Sequence, residues 1–255
     1  MDSWVTAVGL SQSEVRAAIT TAHDRVWASI ASPGATLPGT KRCAIVSEAR
    51  AASICSLCSR RKQAIAPAQV DGLHLSPSLK AGLLTEAEVE IVHKIVTDPG
   101  RVTRTWVDQQ LAIGISDSAY VEIASLVCLI RVVDTFRKGV GLPELAEPDP
   151  LPGDPSGYRP PSAADEGAFV PMIPINGLDE DTSDLFNPRA FVPNVQRAFS
   201  LVPDSTRLAN QLMQSHYLDY QSVTQYTDDD HDRSISKSQM ELVATQVSLY
   251  NDCFY

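Results

Sequence analysis

Nine of the seventeen prolines in this chain of 255 residues fall between positions 143 and 174. Each proline fixes φ and removes a backbone N–H donor, so a stretch this dense can be neither a helix interior nor a central strand. It divides the chain into three parts: residues 1–142, a Pro-rich linker over 143–182, and a segment over 183–255. Phe169, Val170, Met172 and Ile173 give the linker apolar anchors. It is therefore expected to lie over a domain surface.

On either side of the linker the periodicity is helical. Ser11-x-x-Glu14 and Thr85-x-x-Glu88 have the capping-box form, in which hydroxyl and carboxylate satisfy orphan N–H donors of a first helical turn. Residues 41–63 lack Gly and Pro and are rich in Ala, which predicts one long helix. Pro99-Gly100 ends the helix begun near Thr85, and another is expected from near Arg101. Ser116 caps a segment whose Ile123, Leu126, Val127, Ile130 and Val133 recur at spacings of three and four, a buried stripe. Gly139 and Gly141 stop it. Helical pattern resumes over Val192–Leu201 and again after Pro203. Ser236-x-x-Gln239 caps a last helix with Met240, Val243, Ala244, Val247 and Tyr250 on one face. No stretch alternates with period two, so the fold class is all-α.

Composition narrows function. The net charge is −10 and the pI near 4.9. Nucleic-acid and anionic-membrane partners need clustered Lys and Arg, and are excluded as expectations. No apolar run approaches the roughly 20 residues that span a bilayer. The start, MDSWVTAVGL, has neither a basic n-region nor an apolar h-region. A reducing cytoplasm is the expected compartment, where five cysteines indicate chemistry or burial rather than a disulfide scaffold.

Cys55-Ser-Leu-Cys58 is the one complete CxxC. Within a continuous helix its sulfurs are neighbours, but the pair lies too far from the N-terminus to gain from the dipole. Arg60, Arg61 and Lys62 supply positive charge, and Glu48 stands two turns back on the same face. Buried thiols, a redox pair and a metal site are the three readings. Zinc needs two further ligands, and no second CxxC or suitably spaced His pair is visible, so no metal is expected. His23, His74 and His93 show no catalytic or ligand spacing, and His93 reads as an ordinary surface or core histidine. His216 and His231 are uninformative. Cys43 and Cys128 read as small core residues. The acidic stretch 227–233 reads as a solvated loop, lacking the Gly and distal Glu of an EF-hand.

The end of the chain carries a second pattern, Glu241 followed after eleven residues by Cys253, with Tyr255 two further on. With this spacing the sequence resembles the alkylhydroperoxidase D and carboxymuconolactone decarboxylase superfamily, in which Glu, eleven residues, CxxC, three residues and His follow one another. Val121-Glu122, Asp134-Thr-Phe136, Gly139–Pro143 and the linker stretch from Asp165 to Pro171 extend the likeness to alkylhydroperoxidase-related proteins whose second active-site residue is Cys or selenocysteine; it implies two helical lobes joined by the linker, with residues 183–255 the start of the second. The second active-site residue falls at position 256, so the resemblance implies a chain cut short there, for instance at a selenocysteine UGA read as stop.

The resemblance implies a thiol- or selenol-dependent peroxidase acting on alkyl hydroperoxides with a dithiol reductant, no cofactor, and a homo-oligomer. Cys253 would be the resolving residue and Glu241 the general base. Tyr255, where the family prototype carries His, is a poor base at neutral pH. Peroxidase turnover through Cys253 is therefore expected to be absent or weak in these 255 residues. Robust turnover would instead point to Cys55 and Cys58. From a different class, the chain reads as a non-catalytic helical assembly or binding module with a vestigial CxxC. The lactone decarboxylase branch needs no CxxC, and the position of Cys253 weighs against it.

Overall fold

A computed structural model describes residues 11, 14–218, 222–223, 225, 231, 233–251 and 253. The fold is all-α. Among the described residues the only β-type pairing is one antiparallel bridge, between Ala164 and Met172. Among the described residues the helices in chain order are α1 Ala17–Ala31, α2 Gly39–Ala52, α3 Ser56–Gln63, α4 Pro77–Lys80, α5 Glu86–Thr97, α6 Arg104–Ala112, α7 Asp117–Gly139, α8 Asn194–Arg197, α9 Pro203–His216 and α10 Lys237–Tyr250.

The centre of the molecule is α7. The Ser116 hydroxyl accepts the Ala119 N–H at 3.1 Å to start it, and Gly141, at φ +80°, takes the left-handed turn after its end. Ile123, Leu126, Val127, Ile130 and Val133 are all buried, as their spacing predicts. Cys128 is not: with Val132 it lies on the opposite, exposed face of the same helix, so it is no core residue. α2, α5 and α9 pack on α7, and α1 packs on α2 and α9. One core runs from Ala22 through Ile45, Ile91 and Ile123 to Leu212. Fully burying each such aliphatic side chain stabilises by about 1.5–3 kcal/mol.

The caps hold where the pattern placed them. Thr85 and Glu88 form a reciprocal capping box on α5, and Ser236 and Gln239 form one on α10. Ser11 and Glu14 also bond to one another, but α1 begins only at Ala17. Between α5 and α6 stands a single 3-10 turn, Pro99–Arg101, and the helix expected from near Arg101 begins at Arg104. Within Val192–Leu201 the helix, α8, is a single turn, Asn194–Arg197.

The Pro-rich segment is strapped down on the helices. The Trp27 indole N–H donates to the Ala146 carbonyl at 2.7 Å, the Leu151 N–H to the Ala31 carbonyl at 2.8 Å, and the Ser156 N–H to the Gly34 carbonyl at 3.0 Å. Met172 and Ile173 are buried. Nearby, Arg42 and Glu122 form a buried ion pair, and Glu122 also accepts from the N–H and hydroxyl of Thr36, each at 2.7 Å. A Cβ on Gly34 would stand 1.8 Å from the Glu122 carboxylate, so any larger residue in this turn would have to displace the buried ion pair.

One expectation fails in a way that bears on function: the long helix over 41–63 is two helices, broken at Ser53–Cys55. The apolar face of the last helix is mostly uncovered: Met240 is buried, whereas Val243, Val247 and Tyr250 are exposed. No single described helix is long and apolar enough to cross a membrane.

Candidate functional site

The break between α2 and α3 changes the surroundings of the CxxC. Cys55 is the N-cap of α3 and Cys58 its third residue, so both thiols stand in a first helical turn, where free N–H groups and the dipole favour a thiolate. The expectation that the pair sits deep in a helix is thereby corrected. Both cysteines are buried, and the Leu75 N–H donates to Cys55 Sγ at 3.3 Å.

Two histidines distant in sequence close on these sulfurs. His93, fully buried on α5, brings Nδ1 to 3.1 Å from Cys58 Sγ. His74, on the segment between α3 and α4, brings Nδ1 to 3.5 Å from Cys58 Sγ and 3.8 Å from Cys55 Sγ. The two rings lie 4.1 Å apart between centroids. The second nitrogen of each ring is held by a carboxylate. His93 Nε2 bonds Glu48 Oε1 at 2.8 Å, and His74 Nε2 bonds Glu90 Oε2 at 2.8 Å.

Glu48 is fully buried on α2, and its other oxygen accepts the Ser78 N–H at 3.1 Å. Glu90 in turn pairs with Arg61 of α3 at 3.0 Å. The array is thus carboxylate, imidazole and thiol in two branches that meet at Cys58.

The electrostatics follow from this geometry. Burial pushes the Cys58 thiol up, but the hydrogen bonds and charge of His74 and His93 overcome it and bring the thiol down to about 6. Burial also raises Cys55; bonds from the Leu75 and Cys58 backbones and from His74 leave it lowered overall. Burial lowers both histidines, yet Cys58 and Glu90 lift His74 to about 10, and Cys58 and Glu48 lift His93 to about 9. Burial raises Glu48 and Glu90, but bonds from His93 and the Ser76 and Ser78 side chains to the first, and from His74 and Arg61 to the second, leave both lowered overall. An imidazolium–thiolate arrangement is the form these contacts favour.

Cys58 borders two openings. One is a cleft of about 550 Å³ lined by His74, Glu90, Arg61, Arg101, Pro67 and Trp106. The other, of about 280 Å³, is reached past Cys55, Ser59, Lys62 and Arg131. The first sets Trp106 and Pro67 beside two arginines, Arg61 and Arg101.

Of the residues singled out in the sequence, Glu48, Cys55 and Cys58 come together here. Glu48 meets the thiols through His93. His74 and His93 are the residues that spacing did not reveal, 16 and 35 positions beyond Cys58. One signal was available: Glu48 shares a stripe with Ile45, Ala49 and Ala52, and His93 one with Val89 and Val92. An acid and a histidine each on an apolar stripe indicate a buried polar pair.

The second pattern gathers nothing comparable. Glu241, partly buried on α10, accepts a hydrogen bond from the Tyr217 hydroxyl. Cys253 is exposed, its N–H bonded to the Ser248 carbonyl at 3.0 Å. Tyr255 lies outside the described residues, as does most of 227–233. His23 and His216, by contrast, do meet: their Nε2 atoms are 2.9 Å apart beneath Phe136. Compared with protein-family models, curated proteins and solved structures, the chain matches none.

Proposed function

We propose that the chain is a thiol-dependent, peroxidase-like oxidoreductase whose reacting pair is Cys58 and Cys55, acting on alkyl hydroperoxides with an external dithiol as reductant. One observation carries the reading: Cys58 Sγ faces His93 Nδ1 at 3.1 Å while the far side of that imidazole is held by buried Glu48. This is the nucleophile, base and orienting-carboxylate arrangement of activated thiols.

The Cys58 thiolate attacks the terminal oxygen of R–O–OH. The O–O bond breaks, the leaving alkoxide takes a proton from the His93 imidazolium and departs as ROH, and Cys58 becomes a sulfenic acid. The Cys55 thiol then attacks that sulfur, releasing water and forming the Cys55–Cys58 disulfide. An external dithiol restores both thiols by exchange and is itself oxidised to a disulfide. Glu48 and Glu90 orient the imidazoles, while Trp106 and Pro67 offer apolar contact to R. A reducing compartment such as the cytoplasm suits this cycle.

The family reading of residues 183–255 as the start of a second lobe, with Glu241 and Cys253 in catalytic roles, has sequence spacing as its only support. Self-association, which that resemblance also implies, has the exposed Leu242, Val243, Val247 and Leu249 of α10 in its favour. The test of function is a thiol count on reduced protein after one equivalent of cumene hydroperoxide. Loss of two thiols per chain, abolished by Cys58→Ser, is expected. No loss would favour the non-catalytic helical module instead.

A further inference from the structure

The same four side chains have a second capacity, one that does not depend on the peroxidase reading. Cys55 Sγ, Cys58 Sγ, His74 Nδ1 and His93 Nδ1 all lie within 4.8 Å of one another. A tetrahedral zinc ion, with bonds of about 2.3 Å to sulfur and about 2.1 Å to nitrogen, holds its donors about 3.5 Å apart. The separations of 3.1, 3.5 and 3.8 Å around Cys58 and His74 already bracket that spacing.

We propose that the reduced site binds one zinc(II) ion through both sulfurs and both Nδ1 atoms. The far nitrogens support it. With Glu48 and Glu90 bonded to the two Nε2 atoms, an N–H is held there, and once its proton is displaced each Nδ1 offers its lone pair on the side of the sulfurs. A carboxylate behind each ligating imidazole is the usual outer support of a zinc histidine. The donor chemistry narrows the ion: two thiolates and two imidazoles suit zinc, and offer no oxygen to calcium or magnesium. Four donors within 4.8 Å enclose a single ion and leave no room for a two-iron cluster.

Charge also fits. Two thiolates neutralise a divalent cation, so the buried site gains no net charge beyond the carboxylates already paired with His93, His74 and Arg61. Binding displaces protons from the thiols and imidazoles to solvent. The Cys55–Cys58 disulfide has no thiolates to offer, so ion-bound and disulfide forms exclude each other.

Cobalt(II) titration of the reduced, chelator-treated protein tests the inference with no peroxide present. The expected result is saturation at one ion per chain, with strong visible d–d bands of a tetrahedral site and sulfur-to-cobalt charge-transfer absorption, all displaced by zinc. Cys58→Ser and His93→Gln should each weaken binding at least 100-fold, and Glu48→Gln about 10–100-fold. Cys128→Ser should leave binding unchanged. Should a ligand variant fail to fold by circular dichroism, diamide oxidation of the unaltered protein replaces it: binding should vanish, and return on reduction. Weak octahedral cobalt spectra, or binding that survives disulfide formation, would overturn the proposal. Failure here leaves the hydroperoxide test standing, since that test reads thiol loss without metal.

Discussion

The two cysteine patterns of this chain, Cys55-x-x-Cys58 and Glu241 with Cys253, differ in what surrounds the sulfur. Cys58 is buried, stands in the first turn of α3, and meets two imidazoles that carry carboxylates behind them. Cys253 is exposed at the end of α10, and the acid that matches the family spacing is occupied by Tyr217. Sequence spacing favoured the second pattern, because an eleven-residue interval is legible along one chain. Reactivity depends on neighbours in space, and those favour the first. A motif interval is a local property; an activated thiol is built by long-range packing.

The largest effect expected from this contrast is on chemistry. Cys58→Ser should reduce hydroperoxide-dependent dithiol consumption at least 100-fold, whereas Cys253→Ser should change it less than twofold. A coupled assay of dithiol oxidation reads both. Equal losses would erase the distinction between the sites.

Next comes stability, because the two regions are unequally packed. Ile91, with no exposed surface on α5, should cost about 2–5 kcal/mol when changed to Ala. Gly34→Ala, which forces apart the buried Arg42–Glu122 pair, should cost about 3 kcal/mol. Leu249, 67% exposed on α10, should cost less than about 0.5 kcal/mol. Urea midpoints at constant slope measure all three.

A smaller effect concerns pH. Burial, with the positive charge of Arg137, holds His23 down to about 4; burial, with His23 and Arg16, holds His216 down to about 4 as well. The unfolded chain, with ordinary histidines near 6.5, binds more protons between those values. The stability these two histidines contribute by staying neutral is therefore fully present above about pH 6.5 and lost progressively as pH falls toward 4. Melting temperature should drop by several degrees from pH 7 to pH 5. His216→Gln should flatten that interval. An unchanged slope in the variant would assign the acid sensitivity to other groups.

Much of the fold could be read from the chain because its signals are local. The Thr85, Ser116 and Ser236 caps, the stop at Gly139–Gly141 and the α7 stripe each depend on residues within one or two turns. The break between α2 and α3 was not legible, since Ser53, Ile54 and Cys55 include neither Gly nor Pro. Tertiary contact overrides propensity there: the Leu75 N–H on Cys55 and the burial of Leu57 and Cys58 reward starting a new helix. That break also hid the site, because a continuous helix gives the CxxC no free N-terminus. His74 and His93 were invisible as partners for another reason. His93 reaches Cys58 because α5 packs on α2 and α3, and His74 is held there by Glu90 of α5; no spacing along the chain records either.

The most direct test is peptide mapping by mass spectrometry after reduced protein meets one equivalent of cumene hydroperoxide. The expected outcome is a Cys55–Cys58 disulfide with Cys253 still alkylatable as a free thiol. Oxidised Cys253 with Cys55 and Cys58 both free would contradict the assignment of the reactive centre to the first turn of α3.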